Sequence, residues 1–460
     1  MQRDAIHIPF VDSGSYPIRG ANFVRPLVDG DPAFRRICAA VDAARSSVWV
    51  TVAFIEPSFR MPDGRSLFEV LDQAQARGLD VRVIFWRHVL LASISPDAHF
   101  AGTEKDLAFL AERGTRWMAR WDQADGRYCQ HQKSWLIDAG REGEVAFVGG
   151  INLNNDSVVV PGHPLCADRA NTHDVYVEVR GPSATDVHHN FVQRWNEASD
   201  RSLPDGCWPA DSADSVLGFP VRLSAPAGDV AVQIQRTVRR GRYTDTTASP
   251  EGGSFPIVEG EYSVIDQYLK AVGAAQRTVY LEDQAIGSPE VIAALDAALV
   301  RGVDVVVLVP LDPNREMVGA RTNPELQAFW DKLAALGRHD KFVLAGLAGN
   351  KAAGEYHHVY IHAKIALVDD AWCTIGSANV ANRSFFGDTE LNASIWSEAV
   401  VRDLRHQLLR EHLELDTSGM TDREAMTRYR EIARRNAVRR KADERLEGLA
   451  IALDPATYAL

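Results

Sequence analysis

The sequence predicts a duplicated α/β protein, in which two similar halves each form a mixed sheet covered by helices. Two observations support this class: strand patterns alternate with helix patterns along the chain, and the chain is self-similar at half its length. The segment His-x-Lys-x-x-x-x-Asp occurs once in each half, beginning at His131 and at His362. With 460 residues the chain is long enough for two cores or one large duplicated core.

The same order of elements is expected in both halves. A helix leads into an apolar strand, and a second helix, ending in Arg-Gly-x-Asp, leads into a second strand. A third helix and strand precede each His-x-Lys segment. The predicted ranges are 31–45, 48–54, 67–80 and 81–86 in the first half, and 261–275, 278–282, 291–304 and 305–310 in the second.

Composition suggests five regions. These are an N-terminal extension (1–19), a first half (20–205), a linker containing Pro, Gly and Ser (206–229), a second half (230–415) and a C-terminal helical tail (416–460). Two further stretches, 157–171 and 239–260, read as long surface loops, which serve as lids or binding elements or are simply tolerated insertions.

Charge and cysteine content limit the classes of function. The net charge of −12 repels polyanions, so a nucleic-acid substrate would need a locally basic cleft. The five cysteines are scattered and lack metal-site spacing, which favours reduced thiols in the cytoplasm. Neither a signal peptide nor a membrane span is evident, so we expect a cytoplasmic protein that at most lies on a membrane surface. The oligomeric state is not indicated.

The two motifs are HQKSWLID (131–138), followed by GGIN (149–152), and HAKIALVD (362–369), followed by GSAN (376–379). In a strand, alternate side chains share a face. The motif histidines and lysines therefore share a face, whereas the motif aspartates point away and are expected to be structural. The catalytic candidates from the motifs are His131, Lys133, Asn152, His362, Lys364 and Asn379, and the structural candidates are Asp138, Gly150, Asp369 and Ser377.

This set of residue types suits a phosphodiester. Lysine and asparagine side chains provide the donors that stabilise charge on the phosphoryl oxygens. One imidazole can attack phosphorus while a second protonates the leaving alcohol and then activates the incoming nucleophile. Two histidines suffice for this chemistry, so we expect no metal ion or other cofactor.

Each histidine should also have an acceptor for its second ring nitrogen. Downstream of the first motif, THDVYVEV places Asp174 on the polar face of a strand. Downstream of the second, TELNASIW places Glu390 comparably. From order and parity we predict that Asp174 pairs with His131 and that Glu390 pairs with His362.

The chain resembles the phospholipase D superfamily, and in particular its lipid-acting members, over residues 20–415. The segments that carry the resemblance are AFVGGIN, THDVYVEVRGP, FVQRWN, VYIHAKIALVDD and TIGSANVANRSFFGDTELN. The resemblance implies a duplicated phospholipase D-like α-β-α sandwich whose two halves pack around one interfacial active site. It also implies that His131 is the nucleophile and that His362 is the general acid and base. LEDQAIG (281–287) departs from the usual pattern, and this leaves the head-group pocket open.

The function expected from this resemblance is hydrolysis of glycerophospholipid head groups by a metal-independent phosphodiesterase, through a phosphohistidine, with exchange for another alcohol as a second outcome. The expected partners are a phospholipid substrate and a membrane surface. Three alternatives stand beside it. They are a nuclease of the same superfamily, a cardiolipin synthase-like phosphatidyltransferase, which the lack of membrane-spanning helices disfavours, and a non-catalytic lipid-binding protein.

Two basic features have more than one interpretation. Arg236, Arg239, Arg240 and Arg242 could recruit an anionic phosphate or could be an ordinary solvated run. The helical stretch 421–448 could lie on a membrane, although we favour a packing helix with a charged exterior.

Overall fold

The computed structural model describes residues 6–88, 99–126, 128–164, 171–352 and 355–460, with backbone only at 350–352 and 355. Nineteen strands are present in this part of the chain. They are β1 (Arg19–Val28), β2 (Ser47–Val52), β3 (Asp80–Arg87), β4 (Met118–Gln123), β5 (Ser134–Ile137), β6 (Val145–Gly149), β7 (Thr172–His173), β8 (Val175–Arg180), β9 (Cys207–Trp208), β10 (Val230–Val238), β11 (Glu261–Tyr262), β12 (Thr278–Asp283), β13 (Asp304–Leu308), β14 (Phe342–Ala352), β15 (Glu355–Ile361), β16 (Lys364–Val368), β17 (Trp372–Gly376), β18 (Glu390–Trp396) and β19 (Ala450–Leu453).

The same residues contain eleven α-helices. They are α1 (Gly30–Ala43), α2 (Leu67–Ala76), α3 (Glu104–Glu112), α4 (Ala184–Asn196), α5 (Ser263–Ala274), α6 (Pro289–Val300), α7 (Arg315–Thr322), α8 (Gln327–Leu336), α9 (Asn382–Phe386), α10 (Glu398–Leu413) and α11 (Asp422–Lys441). Three helices begin with a complete capping box, at Ser66, Thr103 and Thr421, which satisfies backbone donors of their first turn.

The predicted duplicated α/β fold is confirmed by the strand order. In the first half the order across the sheet is β1-β8-β6-β5-β2-β3-β4-β9. In the second half it is β10-β18-β17-β16-β12-β13-β14-β19. The strands β2, β3 and β4 run parallel to one another in the first half, as do β12, β13 and β14 in the second. The other neighbouring strands pair antiparallel, so both sheets are mixed. Antiparallel pairing of β1 with β10 joins the two halves.

Three apolar clusters explain the layers. One lies under α1 and α2 on the outer face of the first sheet, and another lies under α5, α6 and α8 on the outer face of the second. The third is shared between the halves, because it joins the inner faces of both sheets with α4, α10 and α11. A core common to both halves holds them in a fixed relation, and the active site depends on that relation.

The C-terminal segment is part of this shared core. Met426 and Tyr429 of α11 are fully buried, so the helix packs on the protein, as we favoured, and its apolar side is covered. Residues beyond α11 form β19, a strand that the sequence analysis did not predict, at the sheet position that β9 holds in the first half. None of the helices in the described residues has the length and apolar character needed to cross a membrane.

The arginines in and after β10 are held by acids. Arg236 is buried against Glu261, and Arg242 pairs with Asp122. Arg239 and Arg240 form ion pairs with Asp125 and Glu259. The buried pairs favour a structural role for Arg236 and Arg242, whereas Arg239 and Arg240 are solvent-exposed and their pairs decide neither interpretation.

Candidate active site

Both motif histidines lie just before a central strand, and each is fixed by backbone pairing with the other half. The first motif approaches β5 through a parallel bridge between Gln130 and Thr389, and the His131 N–H donates to the Thr389 carbonyl at 2.9 Å. The second motif approaches β16 from β15, which pairs with β7. There the His362 N–H donates to the His173 carbonyl at 2.9 Å. Each half therefore positions the histidine of the other.

This exchange decides the acidic partners of the histidines. Glu390 follows Thr389 and lies beside His131, with both carboxylate oxygens 3.0 Å from Nδ1. Asp174 follows His173 and lies beside His362, with Oδ2 2.5 Å from Nδ1. The predicted pairing of Asp174 with His131 and of Glu390 with His362 is therefore wrong. Sequence order favoured partners within one half, whereas the strands that carry them pair across the interface.

The cross-half pairs leave Nε2 of each imidazole as the nitrogen that can react. A carboxylate at Nδ1 fixes the tautomer with the proton on Nδ1 and supports the positive charge that forms when Nε2 takes a proton. Asn152 Nδ2 lies 3.4 Å from His362 Nε2, on the reactive side of that ring. Phe54 packs edge-on to His131, with ring centroids 6.1 Å apart, and limits the orientation of that ring.

The two lysines are buried cations aimed at the same region. Lys133 Nζ donates to the His131 carbonyl at 2.8 Å, and Lys364 Nζ donates to the His362 carbonyl and to Gln284 Oε1. Burial lowers the pKa of Lys133 to about 8, with a further contribution from the charge on Lys364. Burial also lowers the pKa of Lys364. Two partly desolvated cations form a strong binding site for an anion.

Burial has opposite effects on the histidines and their carboxylates. It lowers the pKa of His131 and of His362 well below the usual range, and the neighbouring lysines add to this shift. It raises the pKa of both Asp174 and Glu390 to about 7. Each carboxyl and its imidazole therefore exchange a proton as a coupled pair near neutral pH. An anion bound between the lysines would move that proton towards the imidazole.

The asparagines also face the site. Asn152 Oδ1 and Asn379 Oδ1 are buried, and neither accepts a hydrogen bond from the described residues. An unsatisfied buried amide oxygen is unfavourable in isolation. It can accept from the hydroxyl of a substrate or from water, while the amide nitrogen donates to a phosphoryl oxygen.

The residue after the first glycine is Gly150 in GGIN and Ser377 in GSAN. The two differ because the carboxylate side chain beside each one, Asp174 or Glu390, differs in length. A Cβ on Gly150 would lie 2.5 Å from Asp174 Oδ1, so the short aspartate needs glycine beside it. In the second half the longer Glu390 leaves room for Ser377, whose hydroxyl donates to Glu390 Oε2 at 2.6 Å. These two positions therefore set the geometry of the carboxylates rather than contacting the reacting groups.

The motif aspartates lie away from the histidines. Asp138 accepts from the backbone N–H groups of Arg45 and Ser46, and Asp369 accepts from those of Gln276, Arg277 and Thr278 at the start of β12. Each adopts a positive φ of 56° at the end of its strand. They anchor the turns that lead into β2 and β12, which are the strands paired with β5 and β16.

Sequence reasoning missed two acids that support the site. Asp283 accepts from the Val380 N–H at 2.8 Å and so holds the loop that carries Asn379; burial raises its pKa to about 7. Asp388 accepts from the Cys129 N–H at 2.7 Å and steadies the bridge before His131. For Asp283 a signal was present, since the acidic LEDQAIG segment departs from the usual pattern of the lipases.

Comparison with known proteins agrees with this geometry. A family model described as cardiolipin synthase, phospholipase D-like domain, matches twice, over residues 37–195 and 268–411. The chain belongs to this phospholipase D-like family. Each match contains one His-x-Lys motif, so the duplication seen in the fold is also the duplication of the family domain. The predicted membership of the phospholipase D superfamily is confirmed, and the chain is an enzyme of that superfamily.

Relatives and a solved structure extend over most of the chain. Cardiolipin synthase A of Pseudomonas putida is 27% identical over 402 residues, covering 86% of this chain and 70% of that protein. The cardiolipin synthase of Listeria welshimeri is 23% identical over 415 residues, covering 90% and 73%. The crystal structure of phosphatidylserine synthase from Haemophilus influenzae has a TM-score of 0.52 at 14% identity, covers 91% of this chain and 94% of that chain, and supports the fold.

These comparisons correct the expected function. We predicted a hydrolase that releases phospholipid head groups, with a cardiolipin synthase-like transferase as an alternative. The family model and the relatives are of the cardiolipin synthase type, so the hydrolase prediction is wrong and the alternative is favoured.

Proposed function

We propose that this protein is a phosphatidyltransferase of the cardiolipin synthase type, which moves a phosphatidyl group from one phospholipid to a hydroxyl group of another. The observation that carries the proposal is the convergence of both His-x-Lys motifs in one site, within a chain whose two halves match the cardiolipin synthase model. Cardiolipin contains two phosphatidyl groups joined through one glycerol, so its formation requires transfer to an alcohol rather than to water.

In the first step the phosphodiester of the donor lies between Lys133 and Lys364. His131 Nε2 attacks phosphorus, the bond from phosphorus to the head-group oxygen breaks, and His362 Nε2 protonates that oxygen. The resulting intermediate is a phosphatidyl group on His131. We assign the nucleophile to His131 from the resemblance to the family, because the two pairs are close to symmetric in their contacts.

The neighbouring groups support each part of this step. The low pKa of His131 keeps its Nε2 unprotonated at neutral pH, as a nucleophile requires. The negative charge of the phosphodiester offsets the two lysines, so binding of the donor favours protonation of His362, and Asp174 stabilises the imidazolium. Lysine ammonium and asparagine amide groups then donate to the phosphoryl oxygens as charge builds on them.

In the second step the acceptor hydroxyl loses its proton to His362 and attacks phosphorus. The bond between phosphorus and His131 breaks, and both histidines return to their starting states. Phosphatidylglycerol serves as both donor and acceptor in this proposal, with cardiolipin and glycerol as products.

The test is incubation of the purified protein with phosphatidylglycerol vesicles, with lipids and glycerol quantified by mass spectrometry. We expect cardiolipin and glycerol in equal amounts. Removal of either acid–base partner in such sites typically costs about 10²- to 10⁴-fold in rate, so His131→Ala and His362→Ala should each lose at least that much. His339→Ala is the matched control, since His339 lies at the surface against Asp296.

Two outcomes would contradict the proposal. Release of phosphatidic acid without cardiolipin, at every concentration of acceptor lipid, would indicate hydrolysis. Cleavage of single-stranded DNA by the wild-type protein but not by His131→Ala, with no lipid product, would indicate a nuclease.

A further inference from the structure

A second cluster of polar side chains lies behind the active site, and the proposed transfer reaction does not use it. Asp29, His163, His173 and Glu411 are all buried, with at most 6% of any residue exposed. Each offers one oxygen or nitrogen atom, and these four atoms lie within 4.8 Å of one another. They come from the residue before α1, a loop, β7 and α10, so the cluster joins both halves of the chain.

The hydrogen bonds around the two histidines direct one nitrogen of each ring towards the centre of the cluster. Asn171 Nδ2 donates to the Pro164 carbonyl, which turns Asn171 Oδ1 towards His163 Nδ1 at 2.7 Å. That nitrogen must therefore carry a proton, and His163 Nε2 faces the cluster. His173 Nε2 lies 2.9 Å from Glu282 Oε2, so His173 Nδ1 faces the cluster in the same way.

With neutral imidazoles the inward atoms lack donors for the carboxylates. His163 Nε2 lies 2.6 Å from Glu411 Oε1 and donates to it only when the ring is protonated, whereas Asp29 Oδ2 has no hydrogen-bond donor among the described residues. Both oxygens are fully buried. A buried carboxylate without donors is strongly destabilised. Positive charge in the cluster, from protonated imidazoles or from a bound cation, would offset the two carboxylates.

The spacing of the inward atoms fits a tetrahedral metal site. Zinc binds histidine nitrogen and carboxylate oxygen at about 2.0–2.2 Å, and the edges of such a tetrahedron are about 3.3–3.6 Å. The distances here are 3.3 Å between His163 Nε2 and His173 Nδ1, 3.5 Å from His173 Nδ1 to Glu411 Oε1, and 3.7 Å from His163 Nε2 to Asp29 Oδ2. His173 Nδ1 lies 2.9 Å from the other oxygen of Asp29, Oδ1. Two contacts are shorter than such an edge, 2.6 Å from His163 to Glu411 and 2.9 Å from His173 to Asp29.

The surroundings have the features that metal-binding histidines usually show. Each ligand histidine donates its other N–H to an oxygen acceptor, Asn171 in one case and Glu282 in the other, and Glu282 is itself held by the Tyr280 hydroxyl at 2.6 Å. Two carboxylates and a divalent cation also leave the inner cluster neutral, which suits a buried site.

We propose that Asp29, His163, His173 and Glu411 bind a structural divalent transition-metal ion, with Zn²⁺ as the best fit to two imidazoles and two carboxylates. The ion fixes α10 of the second half to β7 of the first. It thereby fixes the His173 carbonyl, which accepts from the His362 N–H, and the adjacent Asp174, which holds the His362 ring. The ion contacts no reacting group, and the proposal stands whether or not the phosphatidyl transfer is correct.

The test is the metal content of the purified full-length protein, measured by inductively coupled plasma mass spectrometry after exhaustive dialysis. We expect one ion per chain in the wild type and a small fraction of that in His163→Ala and in Glu411→Gln. Glu398→Gln is the matched control, because Glu398 is an exposed residue of the same helix, and it should retain the ion.

A second measurement covers the case in which the variants fail to fold. The wild-type protein is treated with a strong zinc chelator, and its thermal unfolding is followed before and after addition of Zn²⁺ or Co²⁺. We expect the chelator to lower the unfolding midpoint and the metal to restore it, with visible ligand-field absorption of tetrahedral Co²⁺. Wild-type protein that contains no stoichiometric metal, and whose midpoint does not respond to Zn²⁺, Co²⁺, Mn²⁺ or Fe²⁺, would overturn the proposal.

Discussion

Replacement of Gly150 by alanine tests the cross-half pairing of Asp174 with His362. The added methyl group would lie 2.5 Å from Asp174 Oδ1 and 3.0 Å from Oδ2, so the carboxylate must retreat by about 0.9 Å to reach ordinary contact. The same carboxylate accepts from the Val175 N–H at 2.7 Å and holds His362 Nδ1 at 2.5 Å. A shift of this size takes at least one of these bonds out of hydrogen-bonding range.

The size of the effect follows from the bond that is lost. A hydrogen bond to a charged group contributes about 1.5–3 kcal/mol, which corresponds to about a 10- to 150-fold loss of rate if it acts in the transition state. We expect this loss in steady-state transfer from phosphatidylglycerol. Gly319→Ala, at a position in α7 where a methyl group meets nothing within 4 Å, is the matched control.

The roles of the two histidines can be distinguished in the same variant with a phosphatidyl ester of p-nitrophenol as the substrate. This leaving group departs without protonation at neutral pH, so the initial burst depends on His131 and Glu390 but not on protonation by His362. Gly150→Ala should therefore keep a burst rate close to that of the wild type. Equal loss in burst and steady state would refute the assignment of Asp174 to the acid–base histidine, and wild-type activity in both would refute the steric argument.

Three further changes have defined expectations. Ser377→Ala removes the hydroxyl that donates to Glu390 at 2.6 Å and stabilises its charged form, so the pKa of Glu390 should rise above about 7. The acidic limb of the profile of kcat/KM against pH should then move to higher pH, and an unmoved limb would contradict this. Lys133 has a pKa of about 8 in the free protein, so kcat/KM should fall above that pH as the cation is lost, and Lys133→Arg should move the alkaline limb upward at a lower maximum rate. Met426→Ala opens a cavity in the core shared by the halves and should lower the free energy of unfolding by about 2–5 kcal/mol; a loss below about 0.5 kcal/mol in denaturant titrations would mean that α11 is not part of that core.

Much of the fold could be predicted because its signals are local. The elements beginning at Leu67 and Ser263 have apolar residues at helical spacing and are helices, and the apolar runs at Val48 and Val305 are strands. Self-similarity of the halves indicated the duplication, since each half repeats the same elements in the same order. Strand β19 was missed because it has only four residues, and its pairing with β14 depends on the path of the chain after α11.

The sequence by itself determined which residue types could carry phosphoryl transfer, because the spacing of His131 with Lys133 and of His362 with Lys364 predicts that each pair shares one side of the extended segment leading into β5 or β16. It did not determine which carboxylate serves which histidine. That choice depends on the backbone pairing of Gln130 with Thr389, residues that are 259 positions apart, and no local periodicity records such a contact. The buried cluster of two histidines and two acids was likewise invisible, because its members are far apart in sequence and Glu411 of the second half joins the other three only where the halves pack together.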